Sequence, residues 1–148
     1  LATIVIIAIN PARQFAQGRN TQRTANVNAI LNAIGQRVAD NKGVFEGTFT
    51  IGATTYKCGK LPTTDTPIET DMAVDTTSET GKLGCLVPTY IPALPTDPKW
   101  ESGSDTLYDL SVGKDCADVA AAGRVKVESP LASTETSIST PISVCVVR

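Results

Sequence analysis

The sequence predicts an α+β fold, one long N-terminal helix packed on an antiparallel β-sheet of about four or five strands. Three observations lead there. Val27, Ile30, Leu31, Ile34 and Val38 fall at i, i+3, i+4, i+7 and i+11, a single apolar stripe on a helix. Beyond Gly43 the apolar period shortens to two, the alternation of half-buried strands. All four cysteines, Cys58, Cys85, Cys116 and Cys145, lie in that second part.

Taken in order, the chain opens with Leu1 to Ile9, an uncharged apolar run too short to cross a bilayer alone. Asn10-Pro11 follows, and Pro11, lacking an N–H, predicts a helix break there. The helical stripe then runs to Asn41-Lys42-Gly43. Gly43 suits a left-handed C′ position and Lys42 complements the helix C-terminus. Thr48–Ile51, a Gly52-Ala53 turn and Thr54–Lys57 read as a hairpin. Residues 62–82, rich in Thr, Asp and Glu, read as a surface loop. Residues 86–95 carry too many prolines for a central strand and fit a compact connection with a few buried anchors. Thr106–Val112, Gly123–Glu128 and Ile142–Val147 are the remaining strand candidates. The division is therefore a helical stalk, 1–43, and a disulfide-bonded head, 44–148.

Composition excludes several classes. At 148 residues the chain holds one ordinary core, and its net charge of −2 carries no nucleic-acid signature. Charge is uneven, however: residues 1–43 hold five basic groups and one acid, the remainder eight and fourteen. A basic stalk and an acidic body attract each other within one subunit or between neighbours, unless both are ordinary solvated faces. Histidine is absent, which removes the usual general base and the commonest metal ligand. No phosphate-binding glycine loop, nucleophile elbow or C-x-x-C is present, so no catalytic residue, cofactor or enzyme activity is expected.

The cysteines lack paired zinc spacing, and their even number predicts two disulfides formed outside a reducing cytosol. Three pairings exist; the sequential one, Cys58–Cys85 with Cys116–Cys145, is preferred, each loop adding about 3–4 kcal/mol. Asp65, Glu69, Asp71, Asp75 and Glu79 are oxygen ligands, but their spacing matches no EF-hand and they read as solvated loop carboxylates. Eleven threonines between Thr48 and Thr80 are candidate O-glycosylation positions, better explained by strand propensity and loop polarity. Arg13, Arg19, Arg23 and Arg37 form no tidy stripe and read as a solvated helix face rather than a phosphate site.

The run LATIVIIAINPARQFAQGRNTQRTANVNAILNAIGQRVADN resembles the later part of a type IV prepilin N-terminal helix. CLVPTYIPALPTDP resembles the proline-punctuated segment of pilins and of the pseudopilins of type II secretion, and GRVKV resembles a late strand of such subunits. The resemblance covers about half of the chain. It implies the type IV pilin fold, assembled into a helical filament whose shared core holds Leu1, Ile4, Val5, Ile6, Ile7 and Ile9. It implies that Asn10 and Pro11 break the helix, and that Val27, Ile30, Leu31, Ile34 and Val38 face the subunit's own sheet. The family's peptidase cleavage motif and early glutamate are not found here, and the resemblance implies that Leu1 falls about fifteen residues inside the mature chain.

The function so implied is a structural subunit of a cell-surface pilus serving adhesion, surface motility or DNA uptake. Its partners would be identical subunits, the pilus assembly machinery, and surfaces or extracellular DNA. Before assembly it would sit in the inner membrane, and afterwards it would be extracellular. A pseudopilin of a type II secretion system is the alternative; major pseudopilins often carry calcium and lack disulfides, so four cysteines favour the pilus. A secreted disulfide-bonded binding domain is a third reading, which leaves the contiguous helix unexplained.

Overall fold

A computed structural model of the chain describes residues 8–75, 80–140 and 142–148. Its one long helix, α1, spans Pro11–Asp40. Asn10 is extended, and its side chain accepts a hydrogen bond from the Arg13 amide at 3.2 Å, while Pro11 takes the first helical position. Proline costs nothing there, because that N–H has no intrahelical partner. Leu1, Ile4, Val5, Ile6 and Ile7 lie outside the described residues.

The helix ends one residue differently from the sequence expectation. Lys42, not Gly43, takes the first left-handed position, at φ 57°, and Gly43 follows at φ 89°. The Gly43 amide donates to Val38 O at 2.8 Å, closing the wider of the two hydrogen-bonded rings that end such helices. Asn41 Nδ2 then donates to Val44 O and Glu46 O, which fixes the turn into the first strand.

Two antiparallel sheets replace the single one anticipated. The first has three strands, in the order β1 (Gly47–Ile51), β2 (Thr54–Cys58), β4 (Ala73–Val74). The second has four, in the order β3 (Thr66–Glu69), β5 (Asp105–Lys114), β6 (Ala120–Ser129), β7 (Val144–Val147). The hairpin, the two long alternating strands and the last strand, expected from a short apolar run, thus lie where the sequence placed them, with Ile142 just outside β7 and exposed.

Residues 62–82 are the main correction, since β3 and β4 both lie inside the expected loop. Ile68 and Ala73 are buried, but Ile68 is a lone apolar side chain among threonines and carboxylates, and Met72-Ala73-Val74 is too short a run for a period to register. Pro67 is tolerated because β3 is a sheet edge with a register shift at that point. Glycine is required opposite it: a Cβ on Gly81 would lie 2.4 Å from Pro67 O, and one on Gly84 would lie 2.6 Å from Asp71 O.

The core lies between α1 and the four-stranded sheet. Val27, Ile30, Leu31 and Ile34 pack among Ile68, Leu110, Val127 and Val144, and Val38 is half-buried beside them. The proline-rich segment contributes Leu86, Ile91 and Leu94 as anchors. The disulfides pair sequentially, Cys58–Cys85 and Cys116–Cys145, with Cα separations of 5.5 and 5.9 Å. One ties the hairpin to the proline-rich segment, and the other ties the β5–β6 turn to β7.

Candidate functional site

The arrangement with most bearing on function is the way α1 is seated. Residues 8–15 are all exposed, among them Ile9 and Phe15 at 64% and 68% of their free surface. Of the filament residues implied by the resemblance, Ile9 alone is described. From Ala16 onward the helix is covered, but its first covered turns are polar: Asn20, Arg23 and Asn26 are buried.

Arg23 is the centre of that contact. Its side chain is wholly buried and forks onto Asp97, with Nε donating to Oδ2 at 2.6 Å and Nη2 to Oδ1 at 3.0 Å. Nη1 donates to Glu135 Oε1 at 2.7 Å and to Asn20 Oδ1 at 2.8 Å. One turn earlier, Arg19 makes its own fork onto Glu135, at 2.9 and 2.7 Å. Lys99 stands 3.4 Å from the same carboxylate. Three cations therefore enclose two anions, and the paired forks fix direction as well as distance.

Each participant is held by a different element. Asp97 ends the proline-rich segment; its backbone N–H donates to Thr106 O, and its carboxylate accepts from the Lys99 amide. Glu135 follows a short 3₁₀ turn, Pro130–Thr134, that leaves β6. Asn26 donates to Thr96 O at 3.1 Å and to the Tyr108 hydroxyl at 2.8 Å, extending the network to β5. Hydrogen bonds from Arg19 hold the Glu135 carboxyl well below the usual carboxylate range, burial opposing and Arg23 assisting. Burial pushes the Tyr108 hydroxyl up to about 12. Burial works against the Arg23 charge, yet Asp97 and Glu135 outweigh it and raise its pKa.

The reading of the arginines as a solvated face is thus corrected for Arg19 and Arg23. Attraction between the basic helix and the acidic body occurs within one chain at these two positions. A usable signal was present: Arg23 lies four residues before Val27, on the same side of the helix as the apolar stripe. Asp97 sits among the prolines of the segment that carries the resemblance, where no local pattern marks an acid as buried.

A second polar cluster sits on β6. Lys126 is buried and reaches Asp65, Asp118 and Glu128 at 2.8, 3.0 and 3.2 Å. Burial disfavours its charge, but these three carboxylates outweigh that and raise its pKa. Asp109 on β5 stands directly across from Glu128, and its pKa is raised by burial and by the charges of Glu128, Asp65 and Asp105. Of the suggested calcium ligands, Asp65 is engaged with Lys126 and Ser111, and Glu79 lies outside the described residues. Among the described residues no group of three His, Cys, Asp or Glu is arranged to hold a metal ion.

Among the described residues no helix is long and apolar enough to cross a membrane. No family model, curated protein or solved structure matches the chain.

Proposed function

We propose that the chain is a structural subunit of an extracellular filament of the type IV pilus kind, polymerising through the apolar start of its N-terminal helix. The observation that carries this reading is the exposure of residues 8–15, continuous in sequence with the apolar run from Leu1. Ile9 and Phe15 are the large apolar side chains exposed there, and apolar side chains left uncovered beside an apolar run point to an interaction surface or a membrane contact. Behind it stands a body suited to mechanical duty: a helix clamped by buried ion pairs onto a head tied internally by two disulfides. Such an α+β arrangement is compatible with a pilin-like fold.

In this reading Leu1, Ile4, Val5, Ile6, Ile7 and Ile9 associate in a shared filament core. Each large side chain contributes about 1.5–3 kcal/mol on full burial. Before assembly the same residues rest in the inner membrane. Adhesion, motility and DNA uptake are the services such a filament performs.

Electron microscopy of the native material tests this directly. Thin helical filaments made of this chain are expected, and Ile6→Asp should abolish them while the head keeps its disulfides and thermal transition. Monomers only, or filaments indifferent to Ile6→Asp, would count against the proposal.

A further inference from the structure

Solvent reaches the two disulfides very differently. Cys58 and Cys85 are 1% and 8% exposed and belong to the same core cluster as Phe45, Leu83 and Leu86. Cys116 stands in the turn between β5 and β6, where residues 116–119 are all exposed, and Cys145 on β7 is half-buried. Thiol–disulfide exchange requires a thiolate to reach one of the two sulfurs, so access decides which disulfide reacts.

The fold around Cys116–Cys145 has other ties. Within the turn, Asp115 Oδ1 accepts from the Ala117 and Val119 amides at 2.9 and 3.0 Å, and the Asp115 amide donates to Val119 O at 2.9 Å. Asp118 holds the same turn to β6 through Lys126, at 3.0 Å. β7 keeps its register on β6 from Val147 opposite Lys126 to Val144 opposite Ser129. Beyond that, Val125 and Arg148 exchange both backbone hydrogen bonds, at 2.7 and 3.0 Å. Val144 lies in the core with the apolar stripe of α1. None of these ties passes through a sulfur atom. Opening Cys58–Cys85, by contrast, means opening the core.

We infer that Cys116–Cys145 is a thiol-exchange site, opened and capped by small thiols while the head stays folded, and that Cys58–Cys85 is closed to the same reaction. A thiolate R–S⁻ attacks Sγ of Cys116, the sulfur on the exposed turn. The R–S–S–Cys116 bond forms as the Cys116–Cys145 bond breaks, and Cys145 departs with the electron pair as a thiolate that takes a proton from water. A second thiolate attacks the R sulfur of this mixed disulfide, releasing R–S–S–R and the Cys116 thiolate, which is protonated in turn. Two small thiols are oxidised and one cystine is reduced. The chemistry is independent of polymerisation and applies to a free subunit.

Glutathione tests this on the native chain. After incubation near pH 8, acid quenching and alkylation, peptide mapping should find Cys116–Cys145 opened about tenfold or more faster than Cys58–Cys85. The glutathione adduct should sit on Cys116, and amide protection of residues 27–34 should be unchanged while that disulfide is open. Cys116→Ser combined with Cys145→Ser should keep the same protection and the Cys58–Cys85 disulfide. Equal opening of the two disulfides, earlier opening of Cys58–Cys85, or an adduct on Cys145 alone overturns the inference. So does opening that appears only with loss of protection at residues 27–34, or a double variant that loses that protection.

Discussion

From Ala16 to Asn26, α1 meets the body largely through nitrogen and oxygen atoms, whereas from Val27 to Ile34 it meets it through hydrocarbon. The apolar half supplies ordinary burial energy, about 25 cal/mol per Å² of apolar surface, which is not directional. The polar half is different in kind. A buried ion pair adds little net stability over a well-packed hydrophobic replacement, but losing one partner strands the other charge in the interior. The forks of Arg19 and Arg23 admit one register of helix against sheet. They therefore set the direction in which the exposed start of α1 leaves the subunit, a geometric requirement for a filament and not for an isolated domain.

Breaking the polar half should do the most damage. Arg23→Ala leaves Asp97 buried without its main partner, takes one of two arginines from Glu135, and should cost about 3–5 kcal/mol in urea unfolding. Arg23→Lys should rescue it only in part, because a single ammonium cannot make the two-pronged contact.

Acid separates the halves next. Glu135 has a depressed folded pKa, so its contribution is fully present above the unfolded value of about 4.3 and is lost as pH falls through the folded one. The urea midpoint should fall on acidification in the native chain, and that fall should be visibly shallower in Glu135→Gln. Ile30→Val probes the apolar half, with an expected loss of about 0.5–1.5 kcal/mol that is the same at pH 4 and pH 7. A strongly pH-dependent loss would mean that the two halves are coupled.

The smallest effect belongs to the sheet. The folded pKa of Asp109 is raised, so its contribution is favourable below the unfolded value and is lost as pH rises through the folded one. Asp109→Asn should raise neutral-pH stability by up to about 1 kcal/mol, through relief of the cross-strand repulsion from Glu128, and should change nothing at pH 2.

Elements with a strong period were legible in the sequence: the stripe Val27 to Val38, the Thr48–Lys57 hairpin, and the alternation of β5 and β6. The preferred cysteine pairing coincides with the one observed. What escaped reading was short or polar. β3 and β4 each bury one apolar residue, and a lone Ile68 has no period. The clamp escaped because a charged side chain on a helix is ordinarily solvated, and only tertiary contact brings Asp97 and Glu135, 74 and 112 residues from Arg23, to its guanidinium.

Amide hydrogen exchange on free and assembled subunits tests most directly the idea that α1 is clamped in its middle and open at its start. In the free subunit, residues 27–34 should be strongly protected and residues 12–15 should exchange quickly, since exposed helix ends open locally. On assembly, protection should rise at residues 12–15 while residues 27–30 stay unchanged. Full protection of residues 12–15 in the free subunit, or no gain there in the assembled material, would contradict it.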